Sequence, residues 1–154
     1  MSTDREADDL VTALLLASRV LVAVTARSVA SVEDAVTLTQ FRALVVIDSH
    51  EHTNINRLSE QLGVNTSTAT RSVDQLVGKG LVDRIQNPRN RREVIVTLTT
   101  HGKQLTDAVT ERRSDEIRTI VQQMPADRAA VMVSALKSFG EAANEPIPVR
   151  LADA

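Results

Sequence analysis

From Asp4 to about Val32, apolar residues recur at Leu10, Leu14, Ala17, Leu21 and Val24, spaced four then three, while Val11, Leu15, Val22 and Val29 cover a neighbouring face. That period predicts a helix apolar on more than one side, which needs more cover than one face of a small domain supplies. A second copy of the chain is the economical cover, with Leu10, Leu14, Ala17 and Leu21 as its contacts. The next stretch, TLTQFRALVVIDSH, predicts a helix capped by Thr37 or Thr39, with Phe41, Leu44, Val45 and Ile47 inward. After the loop EHTN, INRLSEQLGV predicts a short helix with Ile55, Leu58 and Leu62 on one face and Gly63 as its left-handed C-terminal residue. NTSTATRSVDQLVGKG then predicts a second helix, capped by Asn65 or Thr66, with Ala69, Val73, Leu76 and Val77 in its core and Gly78 and Gly80 at its end. Two short helices across a tight glycine turn make a helix-turn-helix.

The period then changes. LVDRIQ and EVIVTLT are rich in β-branched residues, with Val94, Val96 and Leu98 alternating against Glu93, Ile95 and Thr97, so two strands are expected. Between them lies NPRNRR, whose Asn-Pro pair initiates a turn. Strand, basic turn and strand after a helix-turn-helix make a winged helix. From Thr100 a long helix is expected to about Gln123, with Leu105, Val109, Ile117 and Ile120 or Val121 inward. Pro125 breaks it and opens a last helix carrying Val131, Met132, Ala135, Leu136 and Phe139, of which Val131, Leu136 and Phe139 are further dimerisation positions. The expected architecture is one domain over residues 1–154, mainly α with a small β-wing. A winged helix-turn-helix at about 37–100 is flanked by dimerisation helices at about 4–33 and 101–145, and residues 146–154 form a tail.

Composition narrows the chemistry. The 154 residues include two Phe and no Trp or Tyr, so the core must be aliphatic, and base stacking on aromatic platforms is excluded. No cysteine is present, which removes disulfides, thiolate nucleophiles, cysteine-ligated zinc and thiol redox sensing. The acidic, polar start MSTDREADDL is no signal peptide, and a cytoplasmic location is expected. The apolar run from Leu10 to Ala26 is interrupted by Thr12, Ser18, Arg19 and Thr25, and reads as a buried helix too short and too polar to span a bilayer. The formal net charge is -2, yet four arginines and no carboxylate stand between Arg84 and Arg92. No nucleophile–base–acid set or phosphate-cradling loop occurs, so the chain is not expected to be an enzyme or to carry a cofactor.

With the elements in order, the chain resembles the MarR family of bacterial transcriptional regulators. The resemblance rests on VDQL, KGLV, the basic wing NPRNRR and LTTHG, within LSEQLGV to GKQL. It is strong over about Thr37 to Leu105 and architectural in the flanking helices. It implies a homodimeric, cytoplasmic repressor at a pseudo-palindromic operator, with half-sites about one helical turn apart. The resemblance also implies a cleft between the dimerisation helices and the winged helix that takes a small, often aromatic, anionic effector; Ser18, Val22, Phe41 and Val45 would line it here. One departure stands out: the family commonly carries Asp-x-Arg in the wing, where this chain has Asn90, Arg91 and Arg92.

Duplex DNA is the partner these residues point to. Asn65, Thr66, Ser67, Thr68, Thr70, Arg71 and Gln75 are the polar side of the second helix; small hydroxyls at a helix start let phosphate approach closely, and Arg71 can read a guanine edge bidentately. In the wing, Arg84, Arg89, Asn90, Arg91 and Arg92 suit a narrow minor groove, because guanidinium is weakly hydrated. Asp74 would orient a nearby arginine, and Thr37 and Asn54 could touch the DNA backbone. Two other classes compete. A winged helix can be a protein-interaction module without a DNA target, and His50 with His52 could make the regulator metal-responsive, though a His-x-His loop without further ligands more often just faces water.

Overall fold

The computed structural model describes residues 2–32, 36–50 and 53–145. Among the described residues, six helices and one hairpin follow in the order α1 (Ser2–Ala30), α2 (Leu38–Asp48), α3 (Ile55–Leu62), α4 (Thr66–Gly78), β1 (Val82–Asn87), β2 (Asn90–Leu98), α5 (Thr100–Val121) and α6 (Ala126–Ala142). They form two compact units, Met1–Ser114 and Asp115–Ala154. The mainly helical, winged architecture is the one the residue pattern predicts.

Helix starts in the first unit are fixed by side chains that satisfy the orphan amides of the first turn. Thr37 Oγ1 accepts from the Gln40 amide at 3.1 Å while Gln40 Oε1 accepts from the Thr37 amide at 3.1 Å, a complete capping box on α2. Asn54 caps α3 by accepting from the Arg57 amide, and Asn65 caps α4 by accepting from the Thr68 amide, both at 2.8 Å. Gly63 ends α3 in the left-handed region at φ 65°, which lets the chain turn directly into α4.

The core is aliphatic apart from Phe41. Leu44, Leu58, Val73, Leu76, Leu81, Val82, Val96 and Val109 are buried, with Ala43, Val46 and Ile47 of α2 at the centre. The hairpin is antiparallel, from Val82 opposite Leu98 to Asn87 opposite Asn90, with an irregularity at Gln86/Asn87. Its base gains a third backbone partner, since the Val96 amide donates to the Thr53 carbonyl at 2.7 Å. Side chains of Ile95 and Val96 are both buried, whereas Val94 is exposed. The alternation expected along this strand therefore fails: successive strand residues face opposite ways, so both faces of β2 are covered at Ile95 and Val96, and the Val94 face is open one pair further out. Val77, expected in the core, is exposed, because the buried stripe of α4 is the narrow Ala69, Val73, Leu76 series and Val77 lies at its edge in the last turn.

Two expectations for the long helices change. α1 is not a buried helix in the single chain: Leu10, Val11, Leu15, Leu16 and Val22 are each more than half exposed, and cover begins only at Val24, Ser28 and Val29. Within Asp4–Ala30 it also holds an 18-residue stretch with a mean hydropathy of 1.8, long and apolar enough to cross a bilayer by length and composition, contrary to the sequence expectation; the polar interruptions there are too few to offset its aliphatic residues. In the second unit Ile120 and Val121 are exposed and α6 buries no residue, leaving Val131, Met132, Leu136 and Phe139 open. So short a segment encloses too little volume for a core of its own.

Candidate nucleic-acid interface

α4 presents its apolar stripe inward and leaves Asn65, Thr66, Ser67, Thr68, Thr70, Arg71, Asp74 and Gln75 exposed. Several of these groups already have partners. The Asn65 carbonyl is committed to the helix cap, and the Thr70 hydroxyl donates to the Thr66 carbonyl at 2.8 Å. Gln75 Oε1 accepts from Gln40 Nε2 at 2.9 Å, and Lys79 Nζ donates to Gln40 Oε1 at 3.3 Å. Gln40 thus joins the capping box of α2 to the last turns of α4. Asp74 does orient an arginine: its carboxylate pairs with Arg84 of β1. Arg84 is therefore held against α4, apart from the turn arginines with which the sequence grouped it.

The wing turn is built from asparagines. Asn87 Oδ1 accepts from the Arg89 amide at 2.9 Å, and Asn90 Oδ1 accepts from the Arg92 amide at 3.2 Å. Asn90, standing where the resemblance led one to look for an aspartate, therefore acts on the backbone of Arg92. Gln86 Nε2 crosses the hairpin to the Arg91 carbonyl at 3.1 Å. Arg89, Arg91 and Arg92 project from this frame, exposed. Thr37 and Asn54 both lie at helix starts, their oxygens serving as caps.

A concavity lies within the first unit. A cavity of about 310 Å³ is lined by Leu21, Val22, Thr25, Leu38, Phe41, Arg42, Val45 and Arg113. Of the four residues expected there, Val22, Phe41 and Val45 meet; Ser18 does not, and its hydroxyl donates to the Leu15 carbonyl at 2.9 Å. Arg113 was missed by the sequence reading. Its guanidinium lies 5.9 Å from the Phe41 ring centroid, its Nε is buried without a hydrogen-bond partner, and desolvation lowers its pKa from the ordinary arginine value. A signal existed: Leu105, Val109 and Arg113 are spaced by four, on one helical stripe. At the other candidate site, His50 Nδ1 sits 2.9 Å from the Val46 carbonyl and 3.0 Å from Ser49 Oγ. His52 lies outside the described residues, among which no cluster of three His, Cys, Asp or Glu occurs.

The helix-turn-helix and hairpin coincide with a known pattern: the MarR family model matches residues 36–94. The multiple antibiotic resistance protein MarR of Escherichia coli strain K12 is 30% identical over 103 residues, 66% of this chain and 72% of that protein. The chain belongs to the MarR family. Among solved structures, RV1404 from Mycobacterium tuberculosis is 44% identical, with a TM-score of 0.82 over 91% of this chain and 95% of that one. A mutant of the E. coli MarR protein in complex with operator DNA shares the fold at 24% identity, with a TM-score of 0.67 over 84% of this chain and 92% of that one. This MarR-family chain is thus a DNA-binding transcriptional regulator.

Proposed function

We propose that the protein is a homodimeric repressor, acting in the cytoplasm, that grips a pseudo-palindromic duplex. In this reading α4 enters the major groove and the wing the adjacent minor groove, with half-sites about one helical turn apart. The observation that carries it is the pairing of an exposed, hydroxyl-rich helix start with a wing turn whose Arg89, Arg91 and Arg92 all face solvent. Asn65, Thr66, Ser67 and Thr68 would meet phosphate, and Arg71 a base edge. Gln75, its carbonyl end engaged by Gln40, would reach a base through its amide nitrogen. Exposed apolar α1 supports dimerisation, and the operator complex of the related E. coli protein supports the DNA target.

The cavity favours relief by a small anion. Arg113 offers a desolvated cation with an unpartnered Nε beside Phe41, Val22 and Val45, which matches a carboxylate attached to an apolar body. Such a ligand regulates only if it binds one dimer geometry better than the other. Selection of bound sequences from a random duplex pool, followed by salt titration and repeated with aromatic and aliphatic carboxylates, tests both parts. Symmetric selected sites, a steep fall of affinity with salt, and release by a carboxylate that Arg113→Met abolishes are the expected results. Salt-insensitive or absent duplex binding would leave the protein-interaction reading; loss of binding on chelation would favour a metal.

A further inference from the structure

Between Arg84 and Leu98 the chain has one carboxylate, Glu93, among four arginines. On a surface meant to approach phosphate, a negative charge costs affinity by Coulomb repulsion. Its surroundings suggest what offsets that cost. Asn54 Nδ2 donates to Glu93 Oε1, and Asn87 Nδ2 donates to Glu93 Oε2 at 2.6 Å. Neither amide is at liberty to turn over, because Asn54 Oδ1 caps α3 through the Arg57 amide and Asn87 Oδ1 holds the Arg89 amide in the wing turn. Both NH2 groups are therefore presented to Glu93 by backbone structure that already exists. One comes from the start of the first helix of the helix-turn-helix, the other from the first residue of the basic turn. Asn54 and Glu93 also border an open cavity of about 410 Å³, which Asn90 and Arg92 help to line. A hairpin of two strands is marginal by itself, and beyond the Thr53–Val96 bridge this carboxylate is a tie from wing to helix frame.

We propose that Glu93 is a positioning residue for DNA binding: clasped by Asn54 and Asn87, it fixes the pitch of the wing against α3 and so aims Arg89 and Arg92. The proposal rests on the DNA-binding reading above, and its sign is opposite to that of simple electrostatics. Removing a negative charge with Glu93→Gln should tighten duplex binding if charge alone mattered. With the clasp, the new amide nitrogen must face a donor that cannot turn over. Affinity for the selected duplex then falls, by roughly tenfold for a lost charge-assisted contact. Asn87→Asp alone sets two carboxylates together and also weakens binding. Combining both changes lets the new amide donate to the new carboxylate while Asn54 still donates to the amide oxygen, so the double variant binds more tightly than Glu93→Gln. Electrostatics alone gives the reverse order, and that order overturns the proposal. Hydrogen exchange on the DNA-free protein supplies an independent arm: the Arg89 amide should exchange about tenfold faster in Glu93→Gln while core amides keep their rates. An unchanged Arg89 rate sinks the clasp whether or not DNA binds; failure of the unaltered protein to bind any duplex sinks only the DNA reading.

Discussion

A methyl group added at Gly102 would lie 1.9 Å from the carbonyl oxygen of Leu81 and 2.9 Å from its carbon, both backbone atoms. The first turn of α5 sits this close because Thr99 pins it there. The Thr99 amide donates to the Leu81 carbonyl at 3.1 Å, its hydroxyl donates to the Gly80 carbonyl at 2.7 Å, and the same oxygen accepts from the Gly102 amide at 2.9 Å. The Leu-Thr-x-x-Gly pattern is thus a staple between the end of α4 and the start of α5. In an unencumbered helix, Gly→Ala stabilises by about 0.5–1 kcal/mol. Gly78→Ala should do so, since nothing lies within 4 Å of its added carbon. Gly102→Ala should instead destabilise by roughly 1–3 kcal/mol, the range of overpacked sites. Urea unfolding of the two variants checks this, and a Gly102→Ala protein as stable as the parent would mean that α5 shifts away freely.

At the scale of elements, α4 and the wing divide the work of binding differently. Arg71 stands on the exposed face of α4, whereas Arg92 projects from a turn held by Asn87 and Asn90. Arg92→Ala should weaken binding across all duplex sequences and reduce the salt slope by about one phosphate contact. Arg71→Ala should in addition relax preference at one base position, by ~1–3 kcal/mol for a lost bidentate contact. Competition assays over single-base operator variants, run at several salt concentrations, separate the two; unaltered base preference in Arg71→Ala would remove that residue from the reading set. Elements whose signals are local were legible in the sequence. The caps at Thr37 and Asn65, the left-handed Gly63 and the Asn-Pro turn each act through atoms within three residues. What escaped depends on distant chain. The Val96 amide is paired because Thr53 runs alongside β2, Gln75 is engaged because Gln40 lies across from it, and Glu93 is clasped by an asparagine 39 residues away. Nothing in a strand's own alternation signals a third strand-like partner or a remote amide.

For the whole molecule the open surface is α1. Leu10 is 60% exposed, Leu16 60%, Leu15 57% and Leu21 45%, so aliphatic side chains stand open on more than one side of the helix, an exposure that soluble monomers rarely leave uncovered. Length and composition would also allow a bilayer to cover it, and a second copy and a bilayer differ in the solution behaviour they give. A two-fold dimer places the same patch on both copies and buries each against the other. It would also pair two α4 helices for two half-sites. If so, the thermal midpoint rises with protein concentration, because only the folded dimer benefits from mass action. Sedimentation should give a dimer at micromolar concentration. Replacing both Leu10 and Leu21 by Arg should shift it to monomer and weaken operator binding by roughly 10²-fold or more, as the second half-site ceases to be an intramolecular partner. A single isolated half-site should be affected far less, which separates lost pairing from a damaged winged helix. A parent chain that sediments as a monomer at every concentration would end the dimer reading, and co-sedimentation with lipid vesicles would assign the α1 face to a membrane instead.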